Sequence, residues 1–425
     1  FKCSRTIQQI VSKCNINQKF EDFITKEGVD LSITTPQKNI SQDIDVFINL
    51  KANPNYIKIK EVNHCLGLEN IGATCYMNAT IQCLCHVSSL KNYFQNTQLK
   101  NNCELSKEFQ KVLDNLWKEP TRYKNYYTPT DFKICISRMN PLFKGIQAND
   151  SKDLILFIYE TIHSELNEIN KYNPKNDYRL PNELKEFRKA YYSNNYSIIM
   201  NTFYFEQKNH LKCLSCKFDK ISFNISNMII FPLEKVRGYM IKKYPNGFAS
   251  VTLEDCFDNY QKDEVLNGAN QIYCNECNLN SDALSRNEMF TCPEVLTIIL
   301  NRGKGLEFDV IFEYPLFIDI SKFVENKSSL GGSNYELICI IAHLGPSGMS
   351  GHFIAFCKSP VDNNWYCYND SFVSKCDDPR VEMNNNEIEK IPYVLFYQKC
   401  YRNKQYKEKK NNRRSEERRV GKECR

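Results

Sequence analysis

Two C-x-x-C pairs, Cys213/Cys216 and Cys274/Cys277, constrain the fold of this chain more than any other feature. Four thiolates from two such knuckles suit one tetrahedral zinc at Zn–S distances of about 2.3 Å. Four protein sulfurs leave no open position for water, so the metal would be structural. Paired spacing on both sides is far more specific than one C-x-x-C. The stretch between the pairs is long for a compact zinc ribbon, so the site would tie two hairpins of an inserted subdomain. Disulfides or unoccupied thiols are the alternatives.

The chain has 20 cysteines, yet a disulfide framework belongs to small secreted domains short of core. With 425 residues, 42% hydrophobic and 25% charged, this chain has core to bury. C-x-x-C pairs and a nucleophilic thiol both require reduced sulfur, which points to the cytoplasm, the nucleus or both. Net charge is +6, from 56 basic and 50 acidic residues, and the basic side chains are scattered until the extreme C-terminus. No nucleic-acid footprint is expected from that. No apolar run approaches the ~20 residues that span a bilayer, so no membrane is expected either. The chain opens Phe-Lys-Cys without a methionine, so its true N-terminus reads as missing and a signal peptide stays open.

Residues 1–62 are polar without a sustained period and read as an extension or the end of a preceding region. Residues 63–400 carry the denser text of one domain. Residues 401–425 are a basic tail, of which 414–425 read as translated sequencing adapter rather than protein. Within the domain, Met77, Ile81, Leu84, Val87 and Leu90 recur at helical spacing over Cys75–Phe94. Asp150 or Ser151 caps a largely buried helix running to Leu166. Residues 167–200 read as loops with a short helix. After Phe203 the pattern turns mostly to strands: Val295–Leu300, Tyr335–Ala342, His352–Lys358, Trp365–Tyr368 and Tyr393–Tyr397 are aromatic and β-branched. Helices first and an antiparallel sheet later predict an α+β architecture.

The chemistry gathers at the two ends of this domain. Cys75, in Gly67-Leu-Glu-Asn-Ile-Gly-Ala-Thr-Cys75-Tyr-Met-Asn, begins the helical pattern, where the macrodipole turns its positive end to the sulfur. A helix N-terminus plus a nearby imidazolium lowers a thiol from its usual pKa of about 8.5 and populates the thiolate. Gly67 and Gly72 allow the approach loop its tight turns. Asn70 has a side-chain amide that can donate to an oxyanion, an interaction typically worth ~2.7–4 kcal/mol; a turn asparagine is the plainer alternative. His352, in Ser350-Gly-His352-Phe-Ile-Ala, is the matching base, and Gly351 before it leaves room for a substrate backbone. Residues this far apart in sequence can meet in the fold, as Cys/His pairs of this kind do.

These segments closely resemble the cysteine box and histidine box of the ubiquitin-specific protease family, over roughly Leu66 to Tyr397. The resemblance implies a papain-like fold with a helical thumb, an antiparallel-sheet palm and zinc-stapled β fingers at about 203–290. It assigns Cys75 as nucleophile, His352 as base, with His343 supporting the loop, and Asn70 to the oxyanion hole. Through Trp365-Tyr-Cys-Tyr-Asn369-Asp370-Ser371 it places Asn369 as the group that orients His352, where many members have aspartate; Asp370 supplies charge beside it. Gly145-Ile-Gln147-Ala-Asn149-Asp150-Ser-Lys-Asp153 resembles a box whose acidic residues engage the arginine-bearing tail of ubiquitin, so Gln147, Asp150 and Asp153 become tail contacts. Three departures stand out. Asp153 replaces a longer glutamate, Ala73 stands where asparagine is common, and Leu300-Asn-Arg-Gly-Lys304 replaces a Lys-Arg-Phe string. The implied activity is thiol-dependent hydrolysis at the C-terminal glycine of ubiquitin, with one structural zinc, no catalytic cofactor, ubiquitin and ubiquitinated proteins as partners, and a monomer. The rivals are a weak or inactive ubiquitin-binding scaffold and a protease for another Gly-Gly-tailed modifier.

Overall fold

In a computed structural model, the protein is described at residues 31–32, 49–50, 66–117, 125–171, 180–247, 250–302, 310–325, 332–347, 350–384 and 390–400. The chain divides into two units, Phe1–Asn63 and His64–Arg425. In the first, Leu31–Ser32 pairs antiparallel with Asn49–Leu50. The remaining expectations for residues 1–62, for Lys304 and for the tail 401–425 fall outside the described residues.

The second unit begins with helices. The single helical period over Cys75–Phe94 resolves into two, α1 (Cys75–Cys85) and α2 (Ser88–Asn96). His86 ends the first by donating its backbone N–H to Gln82 and Cys83, and Val87 is extended, which turns the chain. Every residue of α1 is buried, the polar Asn78, Thr80 and Gln82 included; a helix covered on all sides lies inside a core. Around it lie α3 (Glu104–Leu116), α4 (Thr130–Met139) and α5 (Ser151–Glu165). Asp150 caps α5 as expected, its carboxylate accepting from Lys152 N at 2.8 Å. The stretch read as loops with one short helix holds two, α6 (Asn182–Tyr192) and α7 (Ile198–Phe203).

Strands follow. The fingers contain β1 (Phe205–Cys213), β2 (Asp219–Ser226), β4 (Glu264–Leu266) and β7 (Ala283–Met289), in the order β2-β1-β7-β4, with the small hairpin β5 (Ile272–Cys274) and β6 (Leu279–Ser281) beside them. The palm contains β3 (Ile229–Pro232), β8 (Val295–Asn301), β9 (Phe317–Asp319), β10 (Asn334–Ser347), β11 (Ser350–Lys358), β12 (Trp365–Asn369), β13 (Phe372–Cys376) and β14 (Lys390–Lys399). Its order is β13-β12-β11-β10-β14-β8-β3, with β9 on β10. The sheet is antiparallel as predicted except at one edge, where β3 runs parallel to β8.

The palm is buried on both faces. Ile299, Ile341 and Val394 enter the core shared with α1, α3 and α5, while their neighbours Ile298, Ile340 and Leu395 enter a second core. This explains why Val295–Leu300 is apolar at every position but Thr297: alternate side chains serve opposite cores. The second core is closed by α8 (Leu233–Lys243) and α9 (Leu253–Tyr260), helices that the strand-dominated reading of this region missed. Leu233, Val236 and Met240, at i, i+3 and i+7, are the buried stripe that marked α8. Architecture is therefore α+β, with helices packed on both faces of the palm.

Candidate active site

Cys75 is the first residue of α1 and only 5% exposed. The loop leading into it is folded by Asn70, whose Oδ1 accepts from Thr74 N at 3.0 Å, Gly72 N at 3.2 Å and Thr74 Oγ1 at 3.3 Å. Gly72 sits at φ +114° and Ala73 at φ +47°. The glycine there is required by conformation; Ala73 adopts the left-handed region with a side chain that favours it poorly. Gly67 has a different reason. A Cβ on it would lie 2.5 Å from the Ser371 carbonyl oxygen, so it permits close approach of the β12–β13 turn. Leu68 N completes that junction by donating to Asp370 O at 2.9 Å.

His352 projects from β11. The ring hydrogen-bonds the Cys75 sulfur, and its Nε2 meets Asn369 Oδ1 at 2.7 Å. Asp370 Oδ2 lies 3.7 Å from the same nitrogen. The bond to Cys75, then Asn369 and the Asp370 charge, outweigh burial and raise His352 to about 9. An imidazole so held is largely protonated at neutral pH. Asp370 sits in the left-handed region, φ +51°, at the tip of the turn. Its carboxylate accepts from Asn70 Nδ2 at 2.9 Å and from Asn78 Nδ2 at 2.8 Å. Asn78 is a site residue that the sequence reading passed over. It lies one turn after Cys75, and its amide also reaches the Leu68 and Glu69 carbonyls. The available signal was a polar side chain one turn after Cys75 in a largely apolar helix.

The five residues proposed for chemistry therefore meet: Cys75, His352, Asn369, Asp370 and Asn70. The other assignments lie outside this group. Asp150, beyond capping α5, accepts the Tyr393 hydroxyl with both carboxylate oxygens at 2.7 Å. Asp153 is 41% exposed and lies 3.3 Å from Lys152 Nζ. Gln147 is exposed, with its carbonyl accepting from Asn149. Gly351 was read as leaving room for substrate, but the space above its Cα is taken by the His343 ring, 2.2 Å from where a Cβ would stand. His343 is 8% exposed, stacks edge-on with Phe353, and burial lowers its pKa. Arg302, in the altered string after β8, is buried and donates to Pro392 O and Val310 O.

In the fingers, the turn after β1 and the turn between β5 and β6 bring four cysteines together. Cys213 and Cys277 sulfurs are 3.8 Å apart, Cys216 and Cys274 3.7 Å, and all four lie within 4.8 Å of one another. Those separations exclude disulfides, which need about 2.05 Å. They equal the edge of a tetrahedron with metal–sulfur bonds of about 2.3 Å, ~3.8 Å. Lys217 and Asn278, each following the second cysteine of a pair, are left-handed and return their N–H to the first cysteine's carbonyl. Backbone N–H groups of Cys216 and Ser215 pull Cys213 down to about 6. These four residues fit a metal ion.

Comparison with known proteins follows the same outline. The family described as ubiquitin carboxyl-terminal hydrolase matches residues 66–397. Ubiquitin carboxyl-terminal hydrolase 2 of Bos taurus is 26% identical over 351 residues, 78% of this chain and 54% of that protein. Ubiquitin carboxyl-terminal hydrolase 21 of Homo sapiens is 26% identical over 389 residues, 82% of this chain and 65% of that protein. The chain thus spans about half the length of the first of these relatives. The fold is shared with the SAGA Ubp8/Sgf11/Sus1/Sgf73 DUB module bound to ubiquitin aldehyde, at a TM-score of 0.57 and 22% identity, covering 80% of this chain and 70% of that one. With the match running from before Cys75 to the last strand of the palm, this chain belongs to the ubiquitin carboxyl-terminal hydrolase family.

Proposed function

We propose that the chain is a deubiquitinating cysteine peptidase that cleaves peptide and isopeptide bonds at the C-terminal glycine of ubiquitin. One observation carries this reading: His352 joins the Cys75 sulfur on one side to Asn369 Oδ1 on the other, at 2.7 Å. Family membership supplies the substrate class.

In this reading the Cys75 thiolate attacks the glycine carbonyl carbon and the electron pair moves onto oxygen. The Asn70 amide has two hydrogens; one is given to Asp370, and the second serves the oxyanion together with a backbone N–H. The His352 imidazolium passes its proton to the departing lysine amine, leaving a thioester. Neutral His352 then takes a proton from water, whose oxygen displaces the sulfur and frees the ubiquitin carboxylate. Asn369 orients the ring, and Asp370, held by Asn70 and Asn78, supplies the negative charge that a neutral amide lacks. Asp153 is the acidic residue most open to a guanidinium of the ubiquitin tail, since Asp150 already binds Tyr393.

Zinc is the metal we assign to Cys213, Cys216, Cys274 and Cys277. With four protein sulfurs it would be structural, holding the finger hairpins where the body of ubiquitin rests. Reduced thiols at both sites accord with the cytoplasm or nucleus.

The test is hydrolysis of a fluorogenic ubiquitin C-terminal amide by the full chain, beside Cys75→Ala. Turnover by the wild type and none by the variant is expected. Turnover retained in Cys75→Ala would remove this cysteine from the mechanism. Ubiquitin binding without turnover in the wild type would make the protein a scaffold, and preferential turnover of another Gly-Gly-tailed modifier would change the substrate.

A further inference from the structure

A second cluster of thiols lies in the core. Cys83 on α1, Cys339 on β10 and Cys357 on β11 are all fully buried, and their sulfurs lie within 4.8 Å of one another. Cys339 and Cys357 face each other across the β10–β11 pairing. Cys357 and Cys83 sulfurs are 3.9 Å apart. An oxygen completes the group, the Cys83 carbonyl, 3.6 Å from the Cys339 sulfur. It belongs to the last turn of α1, where it accepts the His86 N–H at 3.2 Å, keeps a second lone pair, and lies at the helix end that favours a cation.

These separations match one coordination geometry. Tetrahedral zinc with Zn–S of about 2.3 Å and Zn–O of about 2.1 Å sets S···S at ~3.8 Å and S···O at ~3.6 Å. His86 is close by, but its nitrogens are engaged, Nδ1 with Gln82 O at 2.7 Å and Nε2 with the Tyr368 hydroxyl at 3.0 Å. Cysteine packs well as a small apolar residue, which alone puts thiols in cores. Packing does not ask for three sulfurs from three elements to converge beside one helix-terminal carbonyl.

We propose that Cys83, Cys339 and Cys357 form a second metal site, for a divalent soft cation of the zinc class. It would pin the helix that carries Cys75 to the two central palm strands, one of which carries His352. Binding releases three protons to solvent as three thiols become thiolates, leaving the site with one net negative charge. A monovalent ion such as cuprous copper would leave two, a heavier burden without water. The inference depends neither on the catalytic reading nor on metal in the fingers.

The experiment is zinc stoichiometry by mass spectrometry on the full chain, refolded in reducing, zinc-buffered solution. Wild type, Cys213→Ser/Cys216→Ser, Cys339→Ala and Cys357→Ser are compared. Wild type is expected to hold one equivalent more than either core variant, and the finger variant to keep one equivalent. Cobalt bound to the finger variant should show the thiolate charge-transfer bands of a three-sulfur site. A finger variant without metal would overturn the proposal, as would core variants holding as much zinc as wild type. Because the finger variant leaves all three core cysteines in place, the answer does not depend on the core variants folding.

Discussion

At the residue scale the site is governed by His352. Its contacts with Cys75, Asn369 and Asp370 raise it to about 9 from an ordinary value near 6.5. A group raised on folding stabilises the protein fully below its unfolded pKa, and that contribution is lost as pH rises through about 9. In the proposed mechanism the same proton is offered to the leaving amine, so kcat/KM should fall above about pH 9. Cys75→Ala removes the largest cause of the shift. Imidazole resonances followed by NMR should then titrate well below 9; an unchanged midpoint would detach His352 from Cys75. Cys75, His352 and Asn70 were legible in sequence because each sits in a dense local motif. Asn78 was not, since its importance comes from a bond to Asp370, 292 residues away.

At the scale of elements, the junction between the Gly67–Leu68 strand and the β12–β13 turn joins the two halves of the site. Cys75 and Asn70 lie on one side of it, Asn369 and Asp370 on the other. Gly67 makes the contact possible, because a Cβ would meet the Ser371 backbone at 2.5–2.6 Å. Gly67→Ala should cost ~1–3 kcal/mol as overpacking, lower the urea midpoint, and depress kcat at least tenfold by displacing Asn369. Wild-type kinetics and stability in that variant would show that the turn can move without consequence. Elements built as aromatic and β-branched runs, such as β11, β12 and β14, were readable in advance. The α8 and α9 helices were not, because short amphipathic helices between strands carry a weaker signal than β-branched runs.

Over the whole molecule, a palm sheet buried on both faces carries His352 and Asn369, while the fingers form a separate sheet. The finger sheet is largely solvent-facing, β2 above all, so little apolar burial holds its tip. Metal binding should therefore contribute much of its order. Cys213→Ser is expected to lose that metal, to open the fingers to proteolysis, and to raise KM for ubiquitin substrates more than it lowers kcat. A metal-free wild type with the same protease resistance would refute the structural role.

The sequence by itself determined the reacting residue types, the paired cysteines and the α+β order, because these rest on local spacing and on side-chain chemistry that does not change with the fold. Only the tertiary structure decided which partners those residues keep. It committed Asp150 to Tyr393, filled the space at Gly351 with His343, joined Asp370 to Asn70 and Asn78, and converged three core cysteines from α1, β10 and β11. The physical reason is that hydrogen bonds and metal coordination act over a few ångströms. Which atoms come that close is settled by how the sheet and helices pack.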